Sequence, residues 1–457
     1  IVLSYGVDAL SRAEAVNFDA GSGLFRGLGC EFAVCRDDYP SWTRVAQAYM
    51  SRRLDRNVMY VHAYRGLSQL CALERKALKN HCDSMARCVT MAVNNHMWMP
   101  KRGYHGSMLY GNIFMARASS LDYAGECAAI LYDVVNDEVG AWIMEHMPVT
   151  EQQLPRQYPM TGRTIDEGWE SARRHLLYCM AASQPRNQAA LVHGLTCAIS
   201  MCSEPGAGYA EAAMMQGILR CTHYKEILAG NIHNSVVNYQ PDRMMAAWPR
   251  TRWTSDGKQM VAGYRPGEQF VVMLDGEPEE VMESAEYSIG LRDSFTTVAL
   301  VPVDKEGWEG FSSVIRRYIP VGCERVIEAE TVADPGTHLI KERVMAGRYA
   351  ELGSNVNMDI RFCIDVDTPG VYAMELVYAD GTSNRYNQMR SLYIDGVRCG
   401  EFVMPRIGAG PSTKAVSTPV MAVLGKGKNL VRISVSEFLE PGVGCILLDK
   451  IRLIKIN

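Results

Sequence analysis

The sequence predicts a multi-domain chain, an all-α unit followed by two all-β units, and three observations predict it. Up to about residue 230 apolar residues recur at spacings of three and four, the period of helices that bury one face. From Trp253 the texture changes to short alternating runs divided by Pro-Gly, Asp-Gly and Gly-Glu-Pro, the period of half-buried strands. After a break at Pro320-Val321-Gly322, the stretch from Cys323 carries strand runs with clearer punctuation. A chain of 457 residues also exceeds one ordinary domain. The expected units are 1–252, 253–322 and 323–457.

The formal net charge is −4 and no basic run is present, so nothing points to nucleic acid. No apolar run reaches 18 residues, and no membrane span is expected. The chain begins Ile1-Val2-Leu3 without Met, as expected of a processed product or a fragment. Fourteen cysteines form neither a C-x-x-C pair nor a Cys/His zinc spacing. Those in helical patterns (Cys71, Cys88, Cys127, Cys179, Cys197) read as small core residues, with disulfides open if the protein is secreted.

A first helix is predicted over 3–16, ended by Asn17-Phe18-Asp19 and the glycines that follow. The next, over 57–74, carries Val58, Val61, Tyr64, Leu67 and Leu70-Cys71 on one side. Others are predicted over 79–98, 121–134, 138–146, 170–182, 188–201 and 209–229. In 121–134, Leu121, Ala124, Ala128, Leu131 and Tyr132 form the stripe, and Ser119-Ser120 reads as the helix start. Between 98 and 120 lies a loop dense in Gly, Tyr, Phe and Met. Loops held by rigid helices are where binding chemistry tends to sit.

Within 98–134 the order W-x-P, GY, YG-x-x-F, then SSLD-x-x-G-x-x-A-x-x-LY-x-V resembles the six-hairpin glycosidases. FDAGSGLFRG (18–27), running on into Tyr39-Pro40-Ser41-Trp42, and RNQAALVHGL (186–195) resemble two further segments of that superfamily. The resemblance implies an (α/α)6 toroid. Such a ring needs twelve helices where nine or ten segments are legible, which would put a first hairpin upstream of Ile1.

In 253–322 the runs QMVAGYR, QFVVMLDG, AEYSIGL and FTTVALVPV read as an Ig-like β domain acting as a spacer. In 323–457 strands are predicted over 357–362 and 371–379, joined at Thr368-Pro369-Gly370. Two more, over 391–394 and 399–404, meet at the hairpin signal Asp395-Gly396, and 429–436 and 446–456 close the unit. The series from IEAE (327–330) to LLDKIRLIKI (447–456) resembles carbohydrate-binding modules of families 6 and 35. It implies a β-sandwich of jelly-roll type that binds sugar.

Glycoside hydrolysis needs two carboxyl groups. The resemblance puts the acid just after GLFRG, where Glu31, Asp37 and Asp38 stand. The family's Asp-Gly element is replaced there by CEFAVCRDDYP, so a solvated turn or helix cap is the competing reading. The base is expected between Asp166 and Asp242. Glu167 precedes a helix beside Trp169 and Glu170, and Asp242 lies in QPDR (240–243), which resembles the family's NSDR; Glu226 is a further acid. Asn238 stands where the family carries Glu. Trp42, Trp98, Tyr104, Tyr110, Trp169 and Trp248 are candidates for stacking on sugar rings, against core packing at helix ends.

In the last unit Glu328 and Glu330, two apart on a strand, would share a face, with Asp449 on the final strand. The resemblance implies a structural Ca2+ held by these three, a hard cation wanting several oxygens; no organic cofactor is expected. Tyr378, Asp380, Asn384 and Arg385 correspond to the modules' sugar loop, with Asp380 where the family has Asn. Ring, acid and guanidinium would serve a sugar's C–H face and hydroxyls. The expectation is a secreted or periplasmic glycoside hydrolase acting on a poly- or oligosaccharide with inversion. Two alternatives stand beside it: a polysaccharide lyase using Asn94-Asn95-His96 and Tyr104, and a catalytically inactive glycan-binding protein.

Overall fold

The computed structural model describes the chain except residues 1, 28–37, 72–74, 112, 152–153, 162–167, 205–206, 231–235, 247–251, 256–258, 264–268, 283–285, 291–292, 334–338, 344–346, 353–358, 381–386, 408–412 and 437–445. The helices of the first unit are α1 (Val2–Asn17), α2 (Val45–Met50), α3 (Leu54–Leu70), α4 (Lys76–Met97), α5 (Tyr123–Leu131), α6 (Asp137–His146), α7 (Trp169–Ser183), α8 (Gln188–Ser203), α9 (Tyr209–Cys221) and α10 (Tyr224–Ala229). They pack in succession, α1 on α3, α3 on α5, α5 on α7 and α7 on α9, with α4 behind α3 and α8 behind α7. This is an arc of hairpins; no ring of twelve helices is seen among the described residues. None of the described helices is long and apolar enough to cross a membrane.

Local chemistry explains where the elements depart from the sequence reading. In α3, Val58, Val61, Tyr64 and Leu67 are buried as the spacing requires, whereas Leu70 is 58% exposed because the helix ends there at Cys71. α5 starts at Tyr123 rather than at Ser119-Ser120. Asp122 takes the N-cap and accepts from the Gly125 N–H at 3.2 Å, an acidic side chain meeting the helix's unpaired donors. The Ser107 and Ser120 hydroxyls pair with each other instead, 2.8 Å apart. The single helix expected over 209–229 is two, since Thr222 turns extended and its hydroxyl donates back to Ile218 O at 2.7 Å.

The middle unit has two antiparallel sheets. One joins β1 (Arg252–Ser255), β2 (Gln259–Gly263) and β5 (Glu286–Gly290); the other orders β4 (Glu277–Met282), β3 (Gln269–Leu274), β6 (Thr296–Val303) and β7 (Arg316–Tyr318). Asp275 and Gly276 link β3 to β4 with φ of 52° and 84°, the left-handed pair that a two-residue hairpin demands. The unit is more than a spacer. Met273, Ala299 and Val301 of the second sheet share one core with Met108, Tyr110 and Ala116 of the helical unit.

The last unit is a two-sheet sandwich. One sheet centres on β12 (Gly370–Asp380) and β18 (Ile446–Lys455), flanked by β8 (Glu324–Glu328), β9 (Leu339–Arg343) and β10 (Gly347–Leu352) on one side. On the other side are β15 (Ala415–Val416) and β16 (Val420–Leu424). The other sheet runs β11 (Ile360–Val366), β17 (Gly427–Val435), β13 (Gln388–Ile394), β14 (Val397–Met404). In β11, Ile360, Phe362, Ile364 and Val366 face inward while Arg361, Cys363 and Asp365 face out, the alternation of a half-buried strand. Asp395 and Gly396 turn β13 into β14 with φ of 50° and 84°.

Further contacts seam the units together. Ile113 and Phe114 of the helical unit and Ile319 of the middle unit pack on a core of Phe295, Ala373, Ile454 and Ile456. Glu375, 1% exposed, lies between Arg317 of the middle unit at 2.9 Å and Arg452 of its own unit at 3.2 Å. Arg398 donates to Ala15 O at 2.9 Å. Residues 323–457 expressed alone would lose the Arg317 partner of Glu375 while keeping Arg452, and would bare the Ala373–Ile454 face. That fragment is expected to melt below the corresponding transition of the full chain by differential scanning calorimetry. Equal transitions would mean the seam contributes nothing.

Candidate functional site

The first turns of α3 and α5 lie against each other, and there the structure concentrates charge. Arg53, the N-cap of α3, is buried. Its guanidinium reaches Asp38 at 3.3 Å, Asp55 at 3.1 Å and Asp122 at 3.9 Å. Arg156 adds a second cation to Asp38 at 2.8 Å. It is brought there by the strand Gln157–Tyr158, which pairs with Leu121–Asp122. Asp38 is 0% and Asp122 4% exposed.

The three carboxylates have different surroundings. Burial pushes Asp38 above its ordinary range, against the pull of Arg53 and Arg156. Burial also acts upward on Asp55, but the adjoining Arg53 holds it below the usual carboxylate range. Asp122 is pushed up to about 7 by burial and then by the Asp55 charge, with Arg53 opposing. So one carboxyl is held near neutrality while another sits between two guanidiniums, the division of labour by which a pair of acids runs acid–base chemistry.

Polar capacity is also left open. Among the described residues Asp38 Oδ1, Asp122 Oδ2 and both amide atoms of Gln157 are buried without a hydrogen-bond partner, a state that calls for an explanation such as a bound water or a catalytic role. Gly125 permits the approach of the two helices. A Cβ there would stand 2.8 Å from Asp122 Oδ2 and 3.0 Å from the Asp55 backbone nitrogen. Gly125→Ala is therefore expected to cost about 1–3 kcal/mol in urea denaturation and to shift Asp122. No change in stability would show that the helix ends part freely.

The residues predicted from sequence scatter relative to this site. Asp38 belongs to it; Glu31, Asp37, Asp166, Glu167, Trp248, Asn384 and Arg385 lie outside the described residues, and so does the Asp380 side chain. Asp242 is exposed, in a loop whose Pro241 carbonyl accepts from Tyr158 Oη at 3.2 Å, and nothing ties it to Asp38. Asp122 was passed over as part of a helix start.

Trp42 and Tyr110 face the middle unit, tied to Ser312 O at 2.8 Å and Ser312 N at 3.0 Å. Trp98 sits edge-on to His105 with centroids 5.0 Å apart. Tyr104 is buried, and burial holds its phenol far above any useful base. Among the six aromatics only Trp169, 59% exposed, is known to offer an open ring.

Of the residues weighed for a lyase, Asn95 and His96 are exposed, whereas Asn94 is tied into the scaffold. Asn94 donates to Thr90 O at 2.8 Å and Val134 O at 2.9 Å. Its Oδ1 lies 3.3 Å from His105 Nε2. His105 in turn holds Glu126 at 2.9 Å, both fully buried.

In the sandwich, Tyr378 is 1% exposed, with its hydroxyl donating to Pro405 O. It is a core ring with no face for a sugar. Glu328 ends β8 and Glu330 lies in the helical turn Ala329–Val332 that follows, so they do not share a strand face. Glu328 accepts from Lys450 Nζ at 2.9 Å, and Asp449 from Lys414 Nζ at 2.9 Å. Glu330 Oε2 and Asp449 Oδ2 are buried without a hydrogen-bond partner. Among the described residues no three His, Cys, Asp or Glu side chains converge as a ready metal cage. Cysteines such as Cys127, Cys179 and Cys197 are free thiols.

No family model matches the sequence, and no curated protein matches it. Part of the chain is similar to solved carbohydrate-binding modules. A family 35 module from Clostridium thermocellum is 20% identical over 28% of this chain and 98% of its own, with a TM-score of 0.24. The module titled CBM35 from Cellvibrio japonicus Abf62 is 16% identical over 29% of this chain and 94% of its own, TM-score 0.24. A GH26-CBM35 β-(1,4)-mannanase from Podospora anserina is 19% identical over 29% of this chain and 27% of its own, TM-score 0.23.

Proposed function

We propose that this chain is a glycoside hydrolase of a poly- or oligosaccharide, with Asp122 as general acid and Asp38 as base. The observation that carries the reading is the pair itself: two buried carboxyls on one guanidinium, each with an oxygen free of hydrogen bonds. One of them is held near neutrality. Glycosidic cleavage needs one carboxyl protonated and one ionised, and Arg156 at 2.8 Å favours ionised Asp38. Sharing the Arg53 guanidinium keeps the two within about 10 Å of each other, a bound that admits both the inverting and the retaining spacing. Inversion is the outcome we expect, and the product's anomeric configuration decides it. In this reading the helical arc is part of an (α/α) toroid and the middle unit is Ig-like.

The test is a panel of plant and host glycans read by product chromatography and proton NMR. New reducing ends with inverted anomeric configuration, lost in Asp122→Asn, support the reading. An ultraviolet-absorbing product indicates a lyase, and binding without cleavage indicates a glycan-binding protein.

The sandwich is proposed to hold glycan through the segment bearing Asp380, Asn384 and Arg385, which follows the buried Tyr378 in sequence. A Ca2+ would be held by Glu330 and Asp449, whose orphaned buried oxygens fit a hard cation, while Glu328 stays with Lys450. Calcium is expected to raise the melting temperature of the full chain and Asp449→Asn to remove that rise. A melt unmoved by chelator would dispose of the metal.

A further inference from the structure

A cavity of about 430 Å³ opens where the three units meet, within the size range of small-molecule sites. It lies apart from the acid pair. Arg52 and Arg53 are successive residues of one short strand, and successive side chains leave a strand on opposite sides. Arg52 lines the cavity while Arg53 holds the carboxylates.

Arg26 lines the same cavity, and its guanidinium is poorly served. Among the described residues its guanidinium hydrogen-bonds only the thioether of Met50, at 3.7 Å, a weak acceptor for a group with five donors. The acids nearest its charge are committed elsewhere. Asp19 is held by Arg52 at 2.6 Å and by the Ser22 hydroxyl at 2.6 Å; Glu401 is held by Arg398 at 2.6 Å and by the Ser391 hydroxyl at 2.5 Å. Burial and the like charge of Arg52 both act against the charged form of Arg26, so an anion arriving there relieves a standing repulsion. The rest of the wall is divided. Phe114, Met115 and Met273 supply apolar surface, Asp275, Glu277 and Glu309 supply carboxylate acceptors, and Arg117 adds a third guanidinium.

We infer that this cavity binds an acidic monosaccharide, a hexuronate unit, with its carboxylate on Arg26. Its C–H face lies on the Phe114–Met115 side and its hydroxyls donate to Glu277 and Glu309. A planar guanidinium meets a carboxylate through two parallel hydrogen bonds, and the acids of the wall disfavour a bare anion while accepting hydroxyl groups. The inference does not require hydrolysis, since a monosaccharide has no glycosidic bond to cleave.

The experiment is isothermal titration calorimetry of the full chain with sodium glucuronate, glucose and sodium acetate. Glucuronate is expected to bind at least about tenfold more tightly than glucose or acetate, the share of one charge-assisted contact. Arg26→Met should remove that margin. Met421, 40% exposed at the cavity's rim, allows a second variant. Met421→Trp fills the mouth without changing charge and should abolish binding with the melt unchanged, which covers the case in which Arg26→Met fails to fold. Asp122→Asn should bind glucuronate as the parent chain does, whatever becomes of hydrolysis. Equal binding of glucuronate and acetate, equal binding of glucuronate and glucose, or full binding by Met421→Trp would overturn the inference.

Discussion

Asp122→Asn is expected to lower kcat for glycoside hydrolysis about 10²–10⁴-fold, the usual weight of a general acid, while leaving the fold in place. Asparagine keeps an oxygen for the Gly125 N–H that Asp122 now caps at 3.2 Å, so helix α5 retains its start. What it lacks is a transferable proton. In the parent chain Asp122 is held at about 7 by burial and by the Asp55 charge, so kcat/KM should fall as pH rises through 7 and the acid empties.

Stability carries the same signature. The folded value lies above the ordinary 3.8, so between those values the native state keeps a proton that the unfolded chain has lost. Stability contributed by this group is present at low pH, declines as pH rises across that window, and levels off above it. Asp122→Asn should remove that decline. Full activity in both Asp122→Asn and Asp38→Asn would retire the pair.

Glu126→Leu is expected to be the most damaging single change to the helical unit. Both Glu126 and His105 are fully buried, 2.9 Å apart, and the second carboxylate oxygen accepts from the His105 backbone N–H at 3.1 Å. Leucine strands an imidazole nitrogen and a main-chain donor together, and breaking such a pair costs about 3–5 kcal/mol. Glu126→Gln keeps an acceptor and should cost less. The double change His105→Phe, Glu126→Leu should recover part of the loss, since partners in contact are not additive. Denaturant titration of the full chain followed by far-ultraviolet circular dichroism reads all three. A cost below about 1 kcal/mol for Glu126→Leu would place the pair in water.

What was legible in the sequence is what short-range physics controls. The stripe of α3, the alternation of β11 and the turns at Asp275-Gly276 and Asp395-Gly396 follow from period and left-handed backbone demand, each a matter of neighbouring residues. The site followed a different rule. The place after GLFRG points to Asp38, there as an acid, while SSLD points only to a helix start and not to Asp122 as a partner. An aspartate before a helix reads as a cap, and Asp122 is one. That it also faces Asp38 is decided by how α3 and α5 dock, which no spacing reports. Glu330 leaves the strand face expected for it, and Tyr378 turns inward, for a related reason. A strand that breaks into a helical turn after Glu328 redirects the next acid, and a tyrosine on a strand gives no sign of which side of the sheet it takes.

The seam at Phe114, Phe295 and Ile454 has a consequence for how a polymer would be handled. A module on a loose tether samples many positions and raises the local concentration of any chain it catches, whatever that chain's length. Here the sandwich is clamped to the helical arc by apolar packing at Ile113 and Phe114 and to the middle unit by the Arg317–Glu375 contact, so its distance from the acid pair is set like the gap of a caliper. Chains too short to bridge that gap would gain nothing from the sandwich, and longer ones would gain all at once. Rate plotted against oligosaccharide length should then rise as a step rather than a slope.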